Sequence, residues 1–188
     1  YPTKGRVWHP GGAHPFIGLN EALVHNGDFA NYHAVSTYLR QRNIKPLFLT
    51  DTEISVLLFD LLDRVYDYPL EATIEALAPT TERDFKKLPD EKKALYRAIQ
   101  STHIHASPDG PWFFIIARSQ PDKDLCQLLA ITDTSMLRPQ VFAFVDAEDG
   151  EDRYQVALVA SEKQAIDATL QSLHEELPAV SPVADKYW

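Results

Sequence analysis

Layered α+β packing, with helices covering antiparallel sheets, is the fold class this sequence predicts, and three observations lead to it. Strand-like and helix-like segments alternate in groups, not one by one. From residue 111 onward, β-branched and aromatic segments are separated by short polar turns, which suits an antiparallel meander better than parallel crossovers. The seven glycines form neither a GxGxxG nor a Walker pattern, so no phosphate-cradling loop supports a nucleotide-type α/β fold.

Taken in order, residues 1–16 carry Pro2, Pro10, Gly11, Gly12 and Pro15 and read as extended loop. Residues 17–25 end in a buried-strand pattern that stops at Asn26-Gly27, a strong turn signal. A helix is expected over 31–42, with Asn31 as N-cap and Tyr32, Val35 and Leu39 on one face. Lys45 to Leu49 reads as a short strand or extended link. The next helix, 51–66, opens with Thr50 and Glu53 at capping-box spacing. Ile54, Leu57, Leu58, Leu61, Leu62 and Val65 then form a wide apolar stripe. Residues 69–104 are charged, helical in period and broken by Pro79 and Pro89, as in an inserted helical pair. Strands are expected at 112–117, 127–132, 140–145 and 154–160. An amphipathic helix follows at 162–176, and 177–188, with Pro178 and Pro182, reads as a tail or linker. The expected organisation is one domain over 1–176, with the helical insertion at about 69–104.

Composition narrows the function classes. The 188 residues suffice for a substantial single core, and 45% hydrophobic with 24% charged residues is ordinary globular composition. A formal net charge of -9 argues against a nucleic-acid surface or a polybasic membrane patch. No apolar stretch approaches the roughly 20 residues of a membrane helix. The single cysteine, Cys126, excludes an internal disulfide framework and any multi-cysteine metal or iron–sulfur site within these residues. It fits a reducing, cytoplasmic compartment.

Two segments have the composition of half an amide-hydrolysing site. Asn26 beside Gly27 offers a side-chain amide and a closely approachable backbone N–H, two donors for the oxyanion of a tetrahedral intermediate. The same dipeptide is also the ordinary composition of a type I′ turn. Asp51, in the first turn of a helix, offers a fixed carboxylate for an ammonium group, and is equally simple helix-start chemistry. His103 and His105 form an H-x-H, which on a strand face can ligate a metal, and His9, His14, His25 and Asp51 offer further donors. Solvent-facing or hydrogen-bonded histidines are the plainer reading. The acidic run 146–152 reads as a solvated hairpin loop.

Several segments in register carry a resemblance. Tyr1-Pro2-Thr3, Ala13-His14-Pro15-Phe16, Ala22-Leu23-Val24-His25-Asn26-Gly27-Asp28 and Thr50-Asp51-Thr52-Glu53 resemble class II glutamine amidotransferase domains, which are N-terminal-nucleophile hydrolases. Asp133 with Leu137-Arg138-Pro139, and Ala160-Ser161-Glu162, resemble the glutamate-synthase branch. The resemblance implies a four-layer αββα sandwich and a domain that hydrolyses glutamine to glutamate and ammonia for an acceptor domain or partner subunit. It implies Asn26 and Gly27 as the oxyanion hole, Asp51 as the contact for the substrate α-amino group, Thr3 near its α-carboxylate, and Tyr1 lining the pocket. It implies no cofactor in this chain, flavin and iron–sulfur centres belonging to a synthase partner. The family's nucleophile is an N-terminal Cys whose own amine is the base, and an Arg immediately before the aromatic-Pro-Thr motif grips the substrate carboxylate. Both are expected upstream of Tyr1, so that the 188 residues alone should not turn over glutamine. Cys126 is expected to be a core or surface thiol. Two further readings are a catalytically silent module that binds amino acids or partner subunits, and a metal-dependent hydrolase built on the histidines.

Overall fold

The computed structural model describes residues 12–135 and 140–188, and divides the chain into two compact units, one ending at Leu137 and one beginning at Arg138. Both are α+β, with antiparallel sheets and helices. The division falls inside the 1–176 stretch expected as one domain.

In the first unit, β1 (Phe16–Ile17), β2 (Glu21–Asp28), β3 (Asp109–Gln120) and β4 (Leu125–Thr132) form an antiparallel sheet in sequence order. Between β2 and β3 the chain makes α1 (Tyr32–Arg40), α2 (Asp51–Asp60), α3 (Leu70–Leu77), the short α4 (Glu82–Phe85) and α5 (Asp90–Thr102). Strand alternation points Leu23, Phe114, Ile116 and Ile131 toward Ile54, Leu58 and Leu62 of the α2 segment, all in one buried core. Tyr32, Val35 and Leu39 of α1 join the same core, as the sequence spacing predicts. The 69–104 segment forms helices broken at Pro79 and Pro89, and Leu77, Tyr96 and Ile99 belong to the main core.

Three local expectations change or narrow. Asn31 precedes α1, but its side chain makes no cap; Nδ2 instead donates to the His105 carbonyl at 3.0 Å. Of the two readings of 45–49, the short strand is absent and the segment is a link. The helix expected over 51–66 is α-helical only to Asp60, and Leu61–Val65 is a π-turn closed by the Tyr66 N–H on the Leu61 carbonyl at 2.9 Å. Asp63 in that turn is buried and meets Arg118 of β3 at 2.5 Å.

The second unit holds β5 (Val141–Asp149), β6 (Asp152–Ala160), α6 (Lys163–Glu176) and β7 (Lys186–Tyr187), the strands ordered β6-β5-β7. Ala143, Val145 and Ala147 of β5 bury against Ile166 and Leu170 of α6. The segment read as a tail or linker instead returns along β5 and buries Val180 and Ala184 in this core. Apolar side chains at 180, 184 and 187 give it a burial gain that Pro178 and Pro182 obscure in the sequence.

Candidate active site

Asn26-Gly27 does not turn. β2 runs through it to Asp28, whose partner is Asp109, with a register shift between Asn26 and Asp28. Gly27 sits at φ +155°, and a Cβ there would lie 2.4 Å from Trp112 Cβ and 2.8 Å from His25 Nε2. The glycine is therefore required by a close approach inside a bulged strand, not by a hairpin. Asn26 is exposed beside it, while His25 before it points into the core.

The start of α2 is fixed by two side chains. Thr50 Oγ1 accepts the Glu53 N–H at 3.1 Å, as the capping-box spacing predicts. The Glu53 carboxylate does something else: it accepts the N–H groups of Leu47, Phe48 and Leu49 at 2.5, 2.8 and 3.0 Å. Leu49 has φ +57°, which turns successive amides toward one carboxylate. Glu53 thus anchors the loop that delivers the chain into α2, and this explains why 45–49 pairs with no strand.

These two ends meet. His25 Nδ1 lies 3.7 Å from Asp51 Oδ2, both side chains being almost fully buried. Asp51 Oδ1 accepts the Thr52 N–H at 2.9 Å, and Thr52 Oγ1 lies 2.7 Å from His14 Nε2. Burial pushes the His25 imidazole down to about 4, His14 adding to the effect and Asp28 opposing it. Burial also lowers His14, against the opposing field of Asp51. His25 is consequently neutral near pH 7. Its contact with Asp51 is therefore not an ion pair. Phe114 and Phe29 pack edge-on against the ring at 5.0 and 6.1 Å, and its Nε2 has no hydrogen-bond partner among the described residues.

The structure thus brings Asp51 together with His14, His25 and Thr52, while Asn26 and Gly27 follow His25 along β2, Asn26 on the exposed face of the strand. Tyr1 and Thr3 lie outside the described residues, as do His9 and Leu137-Arg138-Pro139. Cys126 is exposed on β4 opposite Ser119, whereas Asn26 aligns through Phe113 with Thr132. At about 3.4 Å per residue the cysteine sits roughly 20 Å from the Asn26 end of the sheet. His103 and His105 are not on a strand. His103 closes α5 with Nε2 3.2 Å from the Tyr68 hydroxyl, and His105 lies against the Tyr38 ring at 4.4 Å. Among the described residues no group of three or more His, Cys, Asp or Glu side chains is placed to hold a metal ion. No described helix is long and apolar enough to cross a membrane.

Sequence reasoning missed Trp112, Thr52 and the true partners of Glu53. The Thr-x-x-Glu spacing marked Glu53 as important but assigned its carboxylate to the wrong amides. For Trp112 no local signal existed, because its role depends on β3 pairing with β2.

No family model matches the chain. An uncharacterized protein of Archaeoglobus fulgidus is 31% identical over 173 residues, covering 92% of this chain and 42% of that protein. The chain therefore spans about two-fifths of the length of the curated relative it matches.

Proposed function

We propose that the longer protein containing this chain is a class II glutamine amidotransferase, with this segment forming most of its glutaminase site. The observation that supports the reading is the meeting of the bulged Asn26-Gly27 strand end with Asp51 at the start of α2, joined by a neutral His25. In this scheme a cysteine thiolate preceding Tyr1 attacks the glutamine carboxamide carbon. The Asn26 side-chain amide and the Gly27 N–H stabilise the oxyanion. Ammonia leaves, and water then cleaves the thioester to release glutamate. Asp51 holds the substrate ammonium, and a neutral His25 suits that role because an imidazolium would compete for the same carboxylate. Thr3 and Tyr1 complete the substrate end. Ammonia passes to an acceptor domain or subunit of the glutamate-synthase kind.

The finer fold, a four-layer αββα sandwich, belongs to the same proposal. Its support is that β2 and β3 carry a second apolar row, Val24, Phe113 and Ile115, opposite the helix-covered one, and that β5 likewise carries Phe142 and Phe144. Calorimetric titration of the intact protein tests the substrate reading. L-glutamate should bind, glutarate (which lacks the amino group) should bind at least tenfold more weakly, and Asp51→Asn should erase that preference. Equal binding of the two would defeat the assignment.

A further inference from the structure

At the opposite end of β2 lies a second buried ionisable group, which the glutaminase reading does not use. Glu21 is 4% exposed, and neither carboxylate oxygen has a well-formed hydrogen bond among the described residues. The carboxyl group fills the place a side chain at Gly18 would take, since a Cβ there would lie 1.8 Å from Glu21 Oε1. Facing it from α2 and the π-turn are Asp60, Asp63 and Arg64. Arg118 is its register partner on β3.

Most donors of the cluster's cations are committed elsewhere, although the buried Arg118 Nε has no hydrogen-bond partner among the described residues. Arg64 holds Asp60 through two bonds of 2.6 Å. Arg118 donates to Asp63 at 2.5 Å and to Gln127 at 2.9 Å. Arg42, which with Asp60, Arg64 and Gly18 lines a cavity of about 480 Å³, donates to the Tyr66 hydroxyl and the Tyr38 carbonyl. Three carboxylates therefore face two guanidinium groups already paired, and a buried carboxylate without a partner is costly.

We propose that Glu21 is a proton-operated latch between the β1–β2 turn and the π-turn that ends α2. Protonated, the carboxyl group packs against Gly18 and closes the junction. Ionised, it adds a third negative charge facing Asp60 and Asp63, and the junction loosens. Burial pushes the Glu21 carboxyl up to about 7, with Asp60 and Asp63 adding to the effect and the Asn20 amide and Arg64 opposing it, so the latch operates near neutral pH. The folded group holds its proton above the unfolded value of 4.5, so its stabilisation is complete below that value and is lost as pH rises to about 7.

Amide hydrogen exchange at pH 6 and pH 8, corrected for intrinsic rates, tests this on the full chain and its Glu21→Gln variant. Protection of residues 17–22 and 61–66 should fall about tenfold more in the wild type than in the variant, while the β5–β6 hairpin shows no such difference. Identical pH dependence in both proteins would overturn the latch. Carbon-detected titration of the Glu21 carboxyl decides the matter independently of how the variant folds: a midpoint near 7 supports the latch, and one near 4.5 removes it.

Discussion

Glu21 and His25 stand four residues apart on the same face of β2, and burial drives both to their neutral forms by opposite changes of protonation. At the His25 end, neutrality makes the contact with Asp51 something other than an ion pair. At the Glu21 end, neutrality removes an excess negative charge from a cluster whose guanidinium groups are already engaged. One strand thus carries two buried titratable groups: an imidazole held neutral and a carboxyl relieved by a proton. Burial sets the direction of each shift, and the neighbours decide what neutrality is for.

The largest way to disturb this contrast is at Arg118. Arg118→Ala should destabilise by about 3–5 kcal/mol, because it strands a buried Asp63 beside Asp60 and Glu21. Urea unfolding at pH 7 measures it. At the other end, Gly27→Ala should cost about 3 kcal/mol, combining a strained φ with overlap on Trp112. A cost below about 1 kcal/mol would mean that the bulge gives way more easily than its geometry indicates.

pH separates the two ends directly. The folded His25 value lies below the unfolded 6.5, so the unfolded chain binds the extra proton. Its contribution is complete above 6.5 and falls by about 3 kcal/mol as pH drops to about 4. Glu21 acts in the opposite sense between 4.5 and about 7, so the wild type should show a shallow pH profile over this window. His25→Phe should expose a stability that declines with rising pH, and Glu21→Gln one that increases. The smallest expected effect is Thr50→Ala, which removes the hydroxyl that accepts the Glu53 N–H and should cost about 1 kcal/mol.

Much of the scaffold was legible because local pattern and tertiary role agree. Tyr32, Val35 and Leu39, the α2 stripe and the four later strands are read from periodicity, and periodicity follows burial on one face. The failures occur where tertiary contacts override a strong local signal. Asn26-Gly27 has the composition of a turn, yet it pairs with β3 as a bulged strand end and uses the glycine for the close approach of Trp112. The helical spacing through Val65 conceals a π-turn because the extra residue serves a buried Asp63–Arg118 pair 55 positions apart in sequence. Of the candidate site, Asn26, Gly27 and Asp51 were legible by composition, but the contact of His25 with Asp51 was not. An apolar-face histidine in a strand carries no mark of what it will touch.

Glutamine hydrolysis by the intact protein, followed as ammonia release, tests the central claim most directly. The account predicts turnover that falls about 10²–10³-fold in Asn26→Ala through loss of an oxyanion donor, with the variant remaining folded. An intact, folded protein that releases no ammonia, or an Asn26→Ala variant as active as the wild type, would contradict it.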